Sequence, residues 1–254
     1  MEMLERMKVY SQKLHVTAAQ TDLNARMKPS AILEIMQEAA GAHAEIIGVG
    51  RSKLIEQNMI WVITRAEVRM ERYPEFGEEI TIETFPQPNR RWFFPRCFTF
   101  FDQNGCQIGC AATLWVLLDT NTRKMCKPDA VIPLMPDNSD LTHPLGMPAT
   151  VIEPDSKPVA SEYLPLYTDL DMNRHVNNTK YIDWCCNALG IDIMRTNEMA
   201  SFALNYHQEV LPGHQIRTEL RLDGNAFSFS GFEGDSRHFD AGGMLRPIET
   251  KPEE

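Results

Sequence analysis

Hydrophobic positions in this chain fall into two recurring patterns. Ile32, Met36, Ala39, Ala40, His43, Ile46 and Ile47 follow one another at helical spacing, and Tyr181, Trp184, Cys185, Ala188 and Leu189 do so ahead of Gly190. Each group marks the apolar face of one helix. After each helix the period changes to two. Val62 to Arg72 alternates as far as the turn Tyr73-Pro74-Glu75-Phe76-Gly77 and resumes over Glu79 to Thr84. Further on, Phe202, Leu204 and Tyr206 alternate with Ala203, Asn205, His207 and Glu209. A turn at Leu211-Pro212-Gly213-His214 follows, and then Ile216, Thr218, Leu220 and Leu222 alternate with Arg217, Glu219 and Arg221. Alternation on both sides of a Pro/Gly turn predicts antiparallel strands with one covered face. Arg96 to Phe101, the Asn104-Gly105 hairpin signal and Gln107 to Leu118 add two long apolar strands, matched by Ala226 to Phe232 and Arg237 to Leu245.

The order helix, then antiparallel strands, is thus written twice, and Thr21-Asp22-Leu23-Asn24 before the first helix is echoed by Thr168-Asp169-Leu170-Asp171 before the second. The first copy is longer between this opening and the glycine of its turn, and Gly48 to Met59 is expected to hold the surplus. Pro128 to Pro158 is rich in proline and keeps no period, as a linker would. The plan is α+β: in each half a long helix wrapped by a curved antiparallel sheet, the two sheets joining edge to edge.

Composition narrows the function classes. A hydrophobic share of 43% and a charged share of 24% are ordinary for a globular protein. A net charge of -10 opposes general binding to nucleic acid or an anionic membrane. Met1 to Val16 lacks the long apolar core of a signal peptide or a membrane span, so a cytoplasmic location is expected. The six cysteines lack the paired spacings and partner histidines of a zinc site, and neither a metal nor a cofactor is expected.

The densest polar cluster runs from Asp169 through Asp171, Asn173, Arg174 and His175 to Asn177 and Asn178, leading into the second helix with Asn178 or Thr179 near its cap. Loops collect Asp and Asn for turn chemistry alone. Two features argue for more. The corresponding loop of the first copy, Asn24 to Pro29, holds no histidine and no acid, so the fold does not itself demand His175. Alternation also puts Glu209 at a strand end, on one face with Asn205 and His207. A histidine, an amide and two carboxylates suffice for thioester hydrolysis, supplying a base or nucleophile, a proton for the leaving thiol and a dipole for the oxyanion. A Gly-x-Ser-x-Gly elbow, a phosphate loop and a dinucleotide fingerprint are all absent from the sequence.

The run Leu170-Asp171-Met172-Asn173-Arg174-His175-Val176-Asn177-Asn178-Thr179-Lys180-Tyr181-Ile182-Asp183-Trp184 resembles the signature of the acyl-acyl carrier protein thioesterases of plants and bacteria, and Asn205 to Glu209 resembles that family's Tyr-x-x-Glu strand end. Arg90-Arg91-Trp92, Asn104-Gly105, Ala111 to Leu118 and Thr122-Arg123-Lys124 are also similar to family segments, so the likeness spans nearly the whole chain. It implies a tandem (double) hotdog fold. The expected organisation is an N-terminal unit, residues 1–127, shaping the acyl pocket, a linker, 128–160, and a catalytic C-terminal unit, 161–254. Asp171, Asn173, His175 and Glu209 are the expected catalytic residues. Plant members often carry cysteine after that glutamate; Val210 stands here, which leaves proton transfer to Glu209.

Met36, Trp61 and Trp92, with the Phe93-Phe94 pair, are candidate tunnel residues, although such residues serve as plain core more often. The implied partner is acyl carrier protein, an acidic surface. Arg174, Arg123 and Lys124 are the leading candidates to meet it, with Arg90, Arg91, Arg96 and Lys127 behind them. An acyl-CoA thioesterase, a hotdog dehydratase acting on 3-hydroxyacyl thioesters and a silent acyl binder are the rival readings. Two units in one chain suit either a monomer or a homodimer.

Overall fold

The computed structural model describes residues 7–248; the six residues at each end, and with them the outer ends of the two expected units and the start of Met1 to Val16, lie outside the described residues. In chain order the elements are β1 (Tyr10–His15), α1 (Pro29–Ile46), α2 (Arg51–Ile55), β2 (Met59–Met70), β3 (Glu79–Pro86), β4 (Phe94–Asp102) and β5 (Gln107–Asp119). The second half supplies β6 (Val159–Tyr163), α3 (Lys180–Leu189), α4 (Ile191–Thr196), β7 (Asn197–Tyr206), β8 (Ile216–Asp223), β9 (Ala226–Glu233) and β10 (Ser236–Pro247).

One ten-stranded sheet runs β1-β3-β4-β5-β2-β7-β10-β9-β8-β6. Its middle is the junction of the halves, where β2 pairs antiparallel with β7 from Arg65↔Asn205 to Arg69↔Ser201. Edge-to-edge joining is therefore what the two sheets do. The outermost strands, β1 and β6, add to β3 and β8. Sequence pattern missed β6 because four of its five residues are exposed, and a solvated edge strand carries no hydrophobic period.

Both long helices pack on one face of this sheet. Pro29 starts α1, whose Ile32, Ile35, Met36, Ala39, Ala40 and His43 are buried. Gly190, with φ +87°, ends α3 in a backbone region that a side chain would strain. A single apolar core draws on α1 and α3 and on strands of both halves; a smaller cluster, including Ala44, Leu54, Phe94 and Leu117, lies beyond the C-terminal part of α1. No helix among the described residues is long and apolar enough to cross a membrane.

Two expectations change. The surplus of the first copy is shared between helix and connection: α1 has 18 residues and α3 has 10, and the Gly48 to Met59 segment, which forms α2, is longer than the connection after α3 that forms α4. The central strands are also covered on both faces, not one: Phe202, Ala203, Leu204 and Asn205 are all buried. The segment after β5 crosses the outer face there. Ala149 N donates to Glu67 Oε2 at 2.6 Å, and a methyl group on Gly242 would meet Val151 Cγ1 at 2.7 Å.

Candidate active site

The cluster before α3 is a tight turn closed by its own aspartate. Asp171 Oδ1 accepts from Asn173 N (2.8 Å) and His175 N (3.3 Å), and Asp171 Oδ2 accepts from Asn173 Nδ2 (3.2 Å). Backbone bonds from Asp171 N to His175 O and from Arg174 N to Asp171 O complete it, with Arg174 at φ +66°. This is Asx-turn chemistry that points His175 inward. The helix cap falls on Thr179, one of the two positions expected, although its side chain makes no cap bond; Asn177 Oδ1 accepts from Thr179 N at 3.0 Å and holds the turn into the helix. The Asn178 carbonyl instead accepts the Tyr206 hydroxyl at 3.2 Å. Burial raises that phenol's pKa well above its usual range, so it remains a donor.

Glu209 meets this turn from the other side, though not by strand alternation. β7 ends at Tyr206. There His207 N and Gln208 N both donate to His238 O, at 2.9 and 3.0 Å, so two residues face one and the alternation slips by a position. His207 turns to Asp240 Oδ2 (2.8 Å), Asn205 is buried in the sheet, and Glu209 swings towards the turn. His238 Nδ1 donates to Glu209 O at 3.0 Å and fixes this loop, and Val176 N donates to Val210 O at 3.0 Å and ties it to the turn. His175 Nε2 then lies 3.4 Å from Glu209 Oε2. Arg123, from the turn after β5, bonds the same oxygen, and Arg51 Nη2 donates to Asn173 Oδ1 at 3.4 Å. His238 and Arg51 carry no motif in the sequence and become visible only here.

The first half contains the same turn. Asp22 Oδ1 accepts from Asn24 N (2.8 Å) and Arg26 N (3.1 Å), Asp22 N donates to Arg26 O, and Ala25 has φ +57°. The expectation that this loop lacks an acid is corrected, because the match begins at Asp22 and not at Asn24. Asp22, Asn24 and Arg26 stand where Asp171, Asn173 and His175 stand. Met27 N donates to Pro74 O as Val176 N does to Val210 O, which puts Tyr73 in the place of Glu209. The aspartate and asparagine are common to both copies; the histidine and glutamate belong to one.

A narrow cavity beneath α1 leads away from Asn178, Thr179 and Tyr206 and is lined by Met36, Ile63, Phe98 and Trp115 among others. Trp61 lies elsewhere, its Nε1 donating to Val49 O at 2.8 Å and its ring edge-on to Phe94. Trp92 sits half-exposed on the turn before β4. Arg174 and Lys124 are exposed, whereas Arg123 is engaged by Glu209. Arg96 is not a surface residue at all: it is 7% exposed, beneath α1.

Residues 7–132 match the model of the acyl-ACP thioesterase N-terminal domain, and residues 152–234 match that of the acyl-ACP thioesterase C-terminal domain. The chain belongs to the acyl-ACP thioesterase family. It is 25% identical over 224 residues to the chloroplastic palmitoyl-acyl carrier protein thioesterase of Cuphea hookeriana, an alignment covering 79% of this chain and 52% of that protein. With the dodecanoyl-[acyl-carrier-protein] hydrolase of Cinnamomum camphora it shares 28% identity over 209 residues, or 77% of this chain and 55% of that protein. The chain spans about half the length of the curated relatives it matches. An acyl-ACP thioesterase structure from Bacteroides thetaiotaomicron superposes with a TM-score of 0.86 at 24% identity, over 96% of this chain and 100% of that one. The 12:0-ACP thioesterase of Umbellularia californica gives 0.82 at 24%, over 95% and 98%. The fold is the tandem hotdog of these family members.

Proposed function

We propose that this family member hydrolyses the thioester of a fatty acyl group carried on acyl carrier protein and releases the free acid. The observation that carries the reading is the meeting of His175 and Glu209, 3.4 Å apart, at a turn whose twin in the first half has neither. In this reading the second unit, 161–254, is catalytic, the first, 1–127, holds the acyl chain, and 128–160 links them.

Glu209 and His175 take the proton of the attacking water and return one to the leaving thiol. Asn173 spends one amide N–H on Asp171 and has the other for the thioester oxygen. Asp171 orients the pair: its Oδ1 already accepts two backbone N–H groups, as Asp22 does in the half without the histidine. Met36 lines the acyl cavity. Arg174, Lys124 and Arg123 meet the acidic carrier, Arg123 while also holding Glu209.

Release of thiol and fatty acid from acyl carrier proteins and acyl-CoAs of graded chain length, compared for the wild type, Glu209→Ala and His175→Ala, tests this. Each variant is expected to lose at least ~100-fold in kcat, the size of a general acid–base contribution. Enoyl product in place of free acid, or equal turnover in the variants, would sink the reading.

A further inference from the structure

Arg96 is the charged side chain least expected where it stands. It projects from β4 beneath α1, and its Nη1 reaches His43 Nδ1 at 3.1 Å and Thr84 Oγ1 at 3.3 Å. Among the described residues no carboxylate lies within ion-pair distance of it. His43 is itself fully buried, with Nε2 3.0 Å from Met7 O. A carbonyl only accepts, so Nε2 carries the proton and Nδ1 is left to accept from Arg96. Burial, with the Arg96 charge beside it, lowers the His43 pKa to about 4, and burial lowers that of Arg96 to about 10. At neutral pH the pair is therefore one cation and one neutral ring. A buried cation without an acid costs several kcal/mol, and such a cost calls for a use.

The register of the sheet gives that use a place. Phe98, which lines the acyl cavity, is two residues from Arg96 on β4 and shares its face. Thr113, also a lining residue, is the cross-strand partner of Arg96. On α1, Met36 and His43 are seven apart and fall on the same stripe. The lining thus runs from Tyr206 on β7 past Ile63 on β2 and Thr113 on β5 to Phe98 on β4, and the register sets Arg96 beside Thr113 and Thr84 beside Phe98, next in line after the lining residues.

We propose that Arg96, braced by His43 and Thr84, is the floor of the acyl pocket and sets the longest chain the enzyme accepts. An apolar chain end pressed against a desolvated guanidinium gains no contact and strips the cation of what solvation it has. Three strand spacings of ~4.8 Å separate β7 from β4, roughly 14 Å. With single bonds of ~1.5 Å a zigzag chain advances about 1.25 Å per carbon, so the floor admits about a dozen carbons. The preferred substrate class is a medium saturated acyl chain. This rests on the thioesterase reading above.

The test is the kcat/KM profile of the whole chain on acyl carrier proteins loaded with saturated acyl groups of about eight to about eighteen carbons, for the wild type, Arg96→Met and Arg96→Gln. The wild type is expected to fall at least ~10-fold beyond about fourteen carbons, a discrimination within reach of one pocket contact. Arg96→Met should recover the long chains by a similar factor and leave the shortest unchanged, since those do not reach the floor. Arg96→Gln removes the charge and leaves a shorter polar side chain; if the methionine variant does not fold, it should show the same widening. A wild-type optimum on the longest chains, or variants that lose all lengths in equal proportion, overturns the proposal. Hydrolysis of no chain length by folded wild type would instead overturn the thioesterase reading.

Discussion

Aspartate at the head of the polar cluster does two jobs that a single copy could not separate. Asp22 and Asp171 make the same pair of backbone bonds at Oδ1, yet only the second turn presents a histidine to a glutamate. Replacing either with alanine removes this pair of backbone hydrogen bonds, and at Asp171 the bond from Asn173 Nδ2 as well, and should cost about 1 kcal/mol in urea unfolding. Asp22→Ala should keep near wild-type turnover, whereas Asp171→Ala should lose it; equal activity losses would mean that the turn alone matters. His43 carries a prediction of a different kind. Its pKa of about 4 in the folded protein lies below the 6.5 of the free side chain, so below pH 6.5 the unfolded chain binds a proton that the folded one refuses. Its contribution is complete above that pH and is lost as pH falls towards 4. The loss is roughly 3 kcal/mol at most. His43→Gln should flatten the stability profile in that window, read by urea unfolding at a series of pH values.

Among the elements, β10 is the one with least room. A methyl group on Gly243 would sit 2.0 Å from Ser201 O and 2.8 Å from Phe202 Cα, both backbone atoms of β7. The pairing shifts register at Met244/Leu245, one step along the strand. Gly243→Ala must push two central strands apart and should destabilise by ~2 kcal/mol or more, seen as a lowered Tm. An unchanged Tm would show that the bulge absorbs the methyl. The same pair of strands explains how Glu209 is delivered: His238, on β10, holds both the broken end of β7 and the Glu209 carbonyl.

At the scale of the whole molecule the halves are bound by more than their shared strand edge. Glu198, from β7, receives Arg26 of the first half on one oxygen and Arg246 of the second on the other, and Arg246 Nη1 reaches Met70 O at 2.7 Å. Tyr73 donates to Met199 O at 2.9 Å beside them. Glu198 is 9% exposed, so Glu198→Ala leaves two largely covered guanidinium groups facing each other. It should cost about 2–3 kcal/mol, discounted from a fully buried pair for the partial exposure of the arginines. Calorimetry should show one transition at lower temperature, because a common core spans both halves; two separate transitions would contradict that coupling.

Much of this architecture is legible in the sequence. The two helices and the paired strands around Pro/Gly turns were written in hydrophobic period, since one face of each must leave water. Asp171, Asn173 and His175 could be read as one unit because a turn of five residues brings them together locally, and the likeness to a known family pointed to Glu209. Other features belong to the tertiary structure alone. Strand β6 has no apolar face to betray it. Glu209 reaches His175 only because His238, far along the chain, breaks the alternation that period two assumes. Arg123 and Arg96 looked alike as surface cations, yet one grips Glu209 and the other lies under α1. Charge and local pattern are properties of neighbours in sequence; burial and partnership depend on which distant strand lies opposite, and that is decided when the two sheets close into one.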